Sequence, residues 1–227
     1  MDDYILRVEN LSKEFVQADR KVQVLKNLNL SVLSGEFVVI AGKSGSGKST
    51  LLSILSGLEQ PTGGSVVFQG QNIGILSEDQ LAPIRNRKIG FVFQAFHLIP
   101  SLNALENIMF PAELKKDGNA RDKAMKLLER VGLSQRAVNF PFQLSGGEQQ
   151  RVAICRALIN NPAIIYADEP TGNLDSDNSA AVIKLLDELH RDRKTTLVVA
   201  THSHSLADKA GRVIRLHDGR IVDGGGR

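Results

Sequence analysis

Cysteine pairs, tryptophan and long apolar runs are all missing from this sequence of 227 residues. Its single cysteine, Cys155, excludes a disulfide within the chain and is typical of proteins from reducing compartments. A membrane-spanning helix needs roughly 20 predominantly apolar residues, whereas the best uninterrupted run here is only Phe37 to Ala41. The acidic start, Met1 to Tyr4, lacks the basic and apolar regions of a signal peptide. These absences predict a cytoplasmic protein.

A strong charge of one sign is also missing. The 28 lysines and arginines barely exceed the 25 acidic residues, so the net charge is only +3. This small excess is evenly spread, and the few aromatic residues form no interleaved basic–aromatic platform for single-stranded bases. We therefore predict that the protein has no nucleic-acid partner.

Three apolar runs, residues 37–41, 163–167 and 196–200, are typical of strands in a parallel sheet. They do not alternate apolar with polar side chains, which is expected of strands buried on both faces beneath helices. Helical spacing of apolar residues lies between them, for example across 182–189. The alternation of strand and helix patterns predicts an α/β fold.

The first 35 residues differ from this pattern. Short strand-like runs at 4–8, 22–25 and 28–32 precede the turn Ser34–Gly35 and the first buried strand. They predict a small antiparallel β subdomain at the N-terminus.

The middle of the chain, about 97–160, has helical periodicity and no convincing strand, which predicts a helical insertion within the α/β core. No linker rich in proline, glycine or serine separates a second unit. We therefore expect a single domain over 1–227, with a core at about 1–94 and 161–227 and a helical subdomain at about 95–160.

A glycine-rich loop at residues 42–49 follows the first buried strand and fits the pattern G-x-x-x-x-G-K-[ST]. Such glycines let successive backbone N–H groups converge on phosphate oxygens, and the following helix adds the positive end of its dipole. The pattern predicts that Lys48 reaches the β- and γ-phosphates of a nucleotide and that the Ser49 hydroxyl ligates Mg²⁺. A flexible glycine turn is the alternative, which the flanking strand and helix disfavour. The candidate nucleotide-binding residues here are Gly42, Lys43, Ser44, Gly45, Ser46, Gly47, Lys48, Ser49 and Thr50.

Two carboxylates, Asp168 and Glu169, end the buried strand at 164–167. At the edge of a parallel sheet Asp168 would lie beside the loop after the first strand, where an acid holds Mg²⁺, usually through its water shell. Glu169 could polarise an attacking water. Taken alone, such a pair is commonly a solvated turn or a helix cap, but the neighbouring phosphate loop favours the catalytic interpretation.

A third motif, residues 144–148, places a serine before two glycines and a glutamate at the start of an apolar helix. Ser145 and Glu148 fit a helix N-cap with exposed amides, which is a second anion site. A plain capped helix explains the residues equally well. The chain thus has two candidate phosphate-binding ends and only one lysine-bearing loop.

In order and approximate spacing, these motifs resemble those of the ATP-binding subunits of ABC transporters. The phosphate loop, residues 144–148 and residues 168–169 match the phosphate-binding, signature and acidic-strand motifs of that family. Gln94, after a strand at 89–93, matches the Q-loop. Residues 173–175 match the D-loop, and His202, after a strand at 197–201, matches the switch histidine. The resemblance covers residues 4 to about 222 and implies a P-loop NTPase core.

The resemblance further implies a homodimer that closes head to tail around two ATP molecules with Mg²⁺. Its signature residues, Ser145, Gly146, Gly147 and Glu148, would face the γ-phosphate held by Lys48 of the other subunit. Asp175 would communicate across this dimer.

Within one subunit, the resemblance gives Glu169, His202, Gln94 and Lys48 the catalytic roles. Gln94 would sense Mg²⁺ and the attacking water, and His202 would hold the γ-phosphate and position Glu169. Together with Ser49 and Asp168, Gln94 is a candidate metal contact. Phe15 would stack on adenine, although an ordinary hairpin phenylalanine is the alternative; relatives often have tyrosine there.

Residues 90–94, 98–100, 103–107 and 168–175 resemble one branch of the family, the lipoprotein-releasing, macrolide-exporting and cell-division ATPases. This implies an ATPase that drives an inner-membrane permease by mechanical force, lies on the cytoplasmic face of that membrane, and reaches a periplasmic adaptor through the permease. The alternative is a nucleotide-gated dimerisation module that regulates a membrane complex with little turnover. The intact Glu169 and His202 argue against that alternative.

Overall fold

Strands and helices alternate through most of the chain, for which the computed structural model describes residues 3–17 and 20–223. The strands are β1 (Tyr4–Gln17), β2 (Arg20–Leu33), β3 (Phe37–Ala41), β4 (Gly63–Phe68), β5 (Gln71–Asn72), β6 (Ile89–Val92), β7 (Ile164–Asp168), β8 (Thr196–Thr201), β9 (Arg212–His217) and β10 (Arg220–Asp223). The α-helices are α1 (Lys48–Leu55), α2 (Glu78–Lys88), α3 (Ala104–Leu114), α4 (Ala120–Arg130), α5 (Gly146–Leu158), α6 (Ser176–Arg193) and α7 (His204–Ala207).

The N-terminal sheet is antiparallel, with the strand order β2-β1-β4-β5. The predicted β subdomain is confirmed, but its first strands are longer than the short apolar runs suggested. β1 and β2 extend over 14 residues each because register shifts, such as the one between Val8 and Leu11, let pairing continue past irregular positions. Asn10 has a left-handed φ of 51° at such a position, and the side-chain oxygen of Asn29 accepts its amide at 2.9 Å.

The second sheet has the order β10-β9-β3-β8-β7-β6, with parallel pairing from β9 to β6 and an antiparallel edge strand, β10. Both of its faces are buried, as the unbroken apolar runs predict. Phe37 and Val39 point toward helices α3 to α6, whereas Val38 and Ile40 point toward α1 and the antiparallel sheet. The α/β architecture is therefore confirmed.

The inserted segment contains helices and connecting loops. Between residues 97 and 160, all of which are described, the chain forms α3, α4, α5 and two 3₁₀ turns, Ser134–Arg136 and Pro141–Gln143, and no strand. In the part of the chain that the structure describes, no helix is both long and apolar enough to cross a bilayer.

The parallel sheet brings distant sequence motifs to one edge. β3, β7 and β8 run in the same direction, with Ala41 beside Thr201 and Asp168 beside Ala200. Because ligands of open α/β sheets bind at the carboxyl ends of the strands, the segments that follow these three strands form the candidate site.

Candidate functional site

An open cavity of about 600 Å³ lies at this edge of the sheet. It is lined by the phosphate loop, by the residues that follow β6, β7 and β8, and by one residue of β2. The lining residues are Val24, Ser44, Gly45, Gly47, Lys48, Ser49, Thr50, Gln94, Glu169 and His202. The fold thus brings together the phosphate loop and all four of the predicted catalytic side chains.

The loop between β3 and α1 has the backbone geometry of an anion site. Gly45 and Gly47 adopt φ angles of 78° and 103°, and a Cβ on Gly47 would lie 2.8 Å from a methyl carbon of Leu25. Helix α1 begins at Lys48, three residues before the apolar run that marks it in the sequence. Its first turn contains no acidic residue, and no side chain caps it. Its N-terminal amides are therefore available to a phosphate group.

Lys48 is 7% exposed and lies under the loop that it follows. Its ammonium donates hydrogen bonds to the carbonyls of Gly42 at 2.9 Å and Lys43 at 3.2 Å. The Glu169 carboxylate is 3.6 Å away. The loop therefore aims a buried positive charge at the cavity.

Asp168 and Ser49 fit a magnesium ion. Burial raises the pKa of the Asp168 carboxyl, and the Glu169 charge acts in the same direction, while a hydrogen bond from Ser49 and the Lys48 charge oppose them. The buried Oδ1 of Asp168 has no hydrogen-bond partner. A hydrated cation would satisfy this acceptor and favour the ionised carboxylate, in the way that protein oxygens and phosphates share Mg²⁺.

Glu169 has an unusual backbone and a well-contacted carboxylate. Its φ is 43°, and its amide donates to the carbonyl of Ala200 on the neighbouring strand at 2.8 Å. The Thr201 hydroxyl donates to its Oε2 at 3.1 Å, and Nδ1 of His202 lies 3.0 Å from the carboxylate. The His202 side chain is 75% exposed, so it can also reach a ligand in the cavity.

Gln94 forms two hydrogen bonds with Asn173, the first residue of the predicted D-loop. Its side-chain nitrogen donates to Oδ1 of Asn173 at 3.2 Å, and the Asn173 amide donates back to the Gln94 carbonyl at 3.1 Å. β6 ends at Val92, one residue earlier than expected, and the Phe93 ring instead stacks between Phe91 and His97.

Residues 145–148 begin α5 but do not line the cavity of their own chain. The Ser145 hydroxyl accepts the Glu148 amide at 3.2 Å, and Glu148 accepts the Ser145 amide at 2.8 Å. This is the capping box predicted from the sequence. Gly147 has no room for a side chain, because an added Cβ would lie 1.9 Å from Oδ1 of Asn178.

Asp175 caps the start of α6 and touches the same asparagine. Its carboxylate accepts the Asn178 amide at 2.8 Å and the Asn178 side-chain nitrogen at 2.8 Å and 3.0 Å. The backbone hydrogen bond from Asn178, helped by the side-chain one, lowers the pKa of Asp175. Asn178 therefore connects the D-loop with the glycines of α5.

Phe15 and Lys43 lie outside the lining of the cavity. Phe15 is 37% exposed on β1, opposite Val22, and the Lys13 ammonium is 4.8 Å from its ring centroid. Lys43 is exposed in the phosphate loop. Their predicted contacts with nucleotide stay predictions.

Val24 and Thr201 belong to the site and were not predicted from the sequence, whereas Asn173 lies in the predicted D-loop but was given no role of its own. Val24 lines the cavity from β2, where an alternating strand pattern gives no sign of a ligand. Thr201 is adjacent to the predicted His202, and that adjacency is its one signal in the sequence.

The ABC transporter family model matches residues 25–172. The lipoprotein-releasing system ATP-binding protein LolD of Geobacter metallireducens is 48% identical over 220 residues, which cover 96% of this chain and 98% of that protein. The macrolide export ATP-binding/permease protein MacB of Syntrophobacter fumaroxidans is 46% identical over 96% of this chain. This chain spans only 31% of that longer protein.

Solved structures agree with these matches. A dimeric ATP-binding cassette in a post-hydrolysis state, bound to ADP and Pi, superimposes with a TM-score of 0.91 at 43% identity, over 96% of this chain and 97% of that one. The cbiO1 protein of Clostridium perfringens, part of the ABC transporter complex cbiONQ, has a TM-score of 0.85 at 30% identity. The match covers 98% of this chain and 88% of cbiO1.

Proposed function

This chain belongs to the ABC transporter family of ATP-binding cassettes, and we propose that it hydrolyses ATP to ADP and phosphate to drive a membrane permease. One observation carries the proposal: Lys48, Glu169 and His202 converge on one cavity at the carboxyl edge of a parallel sheet. The likeness to a cassette bound to ADP and Pi supports the same reaction. We take residues 1–227 as one cassette, with a core at about 1–94 and 161–227 and a helical subdomain at about 95–160.

Catalysis in this site would depend on positioning and charge. The loop amides and Lys48 would bind the β- and γ-phosphates, while Glu169 would accept a proton from the attacking water. His202, in contact with Glu169, would hold the γ-phosphate in line. Ser49 and Asp168 would hold Mg²⁺, with Gln94 as a further contact. The bound ion would neutralise phosphate charge.

We propose that two copies complete each site. The capped start of α5 is a second anion-binding end, yet Ser145 is exposed and lies outside the cavity of its own chain. A head-to-tail homodimer would place Ser145 and Gly147 on the γ-phosphate bound by the other copy. The dimeric state of a cassette 43% identical to this chain supports this arrangement.

A groove between the core and the helical subdomain suits the permease. It encloses about 420 Å³, with apolar walls from Phe91, Phe93, Phe110 and Leu114. His97, stacked 4.5 Å from Phe93, joins this groove to the segment that begins at Gln94. By analogy with LolD and MacB, the permease would be of the lipoprotein-release or macrolide-export type. The chain would then lie on the cytoplasmic face of the inner membrane, with a periplasmic adaptor reached through the permease.

Steady-state hydrolysis by the purified full chain tests this function. We expect Glu169→Gln to bind ATP like the wild type, to lose about 10²–10⁴-fold in hydrolysis, and to accumulate as an ATP-bound dimer on size exclusion. Wild-type turnover by this variant would remove Glu169 from the mechanism. An absence of turnover in the wild type, with intact ATP-dependent dimerisation, would favour the regulatory dimerisation module.

A further inference from the structure

Thr201 makes a contact with Glu169 that none of the recognised motifs accounts for. Its hydroxyl donates to Oε2 of Glu169 at 3.1 Å. The residue ends β8, is 1% exposed and does not line the cavity. It therefore touches the predicted base while staying out of reach of the nucleotide.

The hydrogen bonding around Thr201 has a fixed direction. The backbone amide of Ser203 donates to the Thr201 oxygen at 3.0 Å. A hydroxyl has a single proton to donate, and here that proton is directed at Glu169. One oxygen of the carboxylate is thereby held by a buried donor.

The backbone amide of His202 also donates to Oε2, at the longer distance of 3.4 Å. The other two side chains that contact Glu169 have competing duties. Lys48, 3.6 Å from the carboxylate, and the exposed His202 imidazole are both expected to bind phosphate once ATP is present. The Thr201 hydroxyl, by contrast, lies outside the cavity and is not expected to contact a phosphate. Its neighbour Ala200 also accepts the Glu169 amide at 2.8 Å, so the end of β8 holds both the backbone and the side chain of Glu169.

We propose that Thr201 is a positioning residue for ATP hydrolysis, which keeps Oε2 of Glu169 occupied and turns Oε1 toward the attacking water. This inference rests on the proposed function, since it assigns Glu169 the role of base. A group held by buried hydrogen bonds needs little reorganisation during the reaction. Small displacements of a reacting group cost up to about 100-fold in rate.

The test compares three variants of the full chain. Thr201→Val removes the hydroxyl at nearly constant volume, and Thr201→Ser keeps it. Thr196→Val is the matched control, because Thr196 is also 1% exposed on β8 and its hydroxyl accepts the Gly35 amide at 3.0 Å, away from Glu169. Each variant is assayed for kcat, for KM for ATP and for the lifetime of its ATP-bound dimer.

We expect Thr201→Val to lower kcat by about 10- to 100-fold and to leave KM within about threefold of wild type. Its ATP-bound dimer should persist longer than that of the wild type. Thr201→Ser should recover most of kcat, and Thr196→Val should keep it even where its melting temperature falls. In a Glu169→Gln background, Thr201→Val should cause no further loss, because both changes act through one carboxylate.

Several outcomes would overturn the inference: a wild-type kcat in Thr201→Val, a raised KM with an unchanged kcat, or an equal kcat loss in Thr196→Val. The two proposals fail separately. If the wild type does not hydrolyse ATP, the proposed function is wrong, and if Glu169→Gln hydrolyses ATP like the wild type, Glu169 is not the base. If Glu169→Gln is impaired and Thr201→Val is not, the role of Thr201 alone is wrong.

Discussion

The two candidate anion-binding regions of this chain are built in opposite ways. In the phosphate-loop region Lys48 is buried, and the loop lines a cavity together with side chains that follow the ends of several strands. In the signature region Ser145 is exposed and lies outside that cavity, and the region is organised by a capping box within four consecutive residues.

This difference underlies the proposal that two copies form each site. We expect the phosphate-loop region to bind nucleotide by itself, because the phosphate loop, Lys48 and Glu169 already share one cavity. The signature region can add only hydrogen-bond donors and a helix dipole, and these act over a few ångströms. In the proposed dimer it would contribute to catalysis by facing a phosphate that another copy has bound.

The largest effect that separates the two regions is expected from Ser145→Arg. A bulky cation on the signature surface should block closure of the dimer, so hydrolysis should fall at least about 100-fold. The ATP affinity of the monomer should change little, because Ser145 lies outside the cavity. Parallel binding and turnover assays measure both quantities. Gln135→Arg, a similar change at an exposed position of the same subdomain, should leave both near wild type. Equal losses of affinity and turnover in Ser145→Arg would contradict the separation.

A smaller effect is expected on the nucleotide-binding side, at the predicted adenine contact Phe15. Phe15→Ala should weaken ATP binding by roughly 1–3 kcal/mol, the range for an aromatic ring stacked on a base, and Phe15→Tyr should bind like the wild type. Phe142, which is 82% exposed near the signature region, provides the control. Phe142→Ala should bind ATP normally. Isothermal titration calorimetry measures the ATP affinity of each variant. Normal ATP binding by a folded Phe15→Ala variant would show that Phe15 does not stack on adenine.

The smallest effect concerns pH. The pKa of Asp175 is lowered in the folded chain by hydrogen bonds from Asn178. Its contribution to stability is therefore present above the unfolded value, about 3.9, and is lost as pH falls through the lower folded value. Asp175→Asn keeps a capping oxygen without this titration. The melting temperatures of wild type and variant should differ slightly at pH 7 and converge in acid. A constant difference down to pH 2 would contradict the assignment.

Local patterns predicted much of both regions from sequence. The loop at 42–49 and the box at 144–148 depend on residues close together in the chain, so their chemistry is visible without a fold. The parallel strands were also predictable, because burial on both faces removes the polar alternation from residues 37–41 and 196–200.

The remaining features depend on tertiary contacts. The Thr201 contact with Glu169 joins residues 32 positions apart and arises from the pairing of β7 with β8. Likewise, Val24 lines the cavity because β2 packs over the phosphate loop. The carbonyl and side chain of Val24 lie close to Gly47. The full length of β1 was missed because its bulges resemble turns in the sequence.

The central claim, that each site combines Lys48 of one copy with Ser145 of the other, is tested most directly by mixing two inactive variants. Lys48→Ala loses the phosphate clamp, and Ser145→Arg blocks the signature surface. In a mixed head-to-tail dimer one site has both defects, and the other has an intact Lys48 and an intact Ser145.

The measurement is ATP retained by dimers on size exclusion, for each variant alone and for the equimolar mixture, with both variants in a Glu169→Gln background so that bound ATP is not hydrolysed. If the dimer closes head to tail, ATP should be retained only in the mixture, at close to one ATP per dimer. Two folded variants that retain no ATP when mixed would contradict the head-to-tail site.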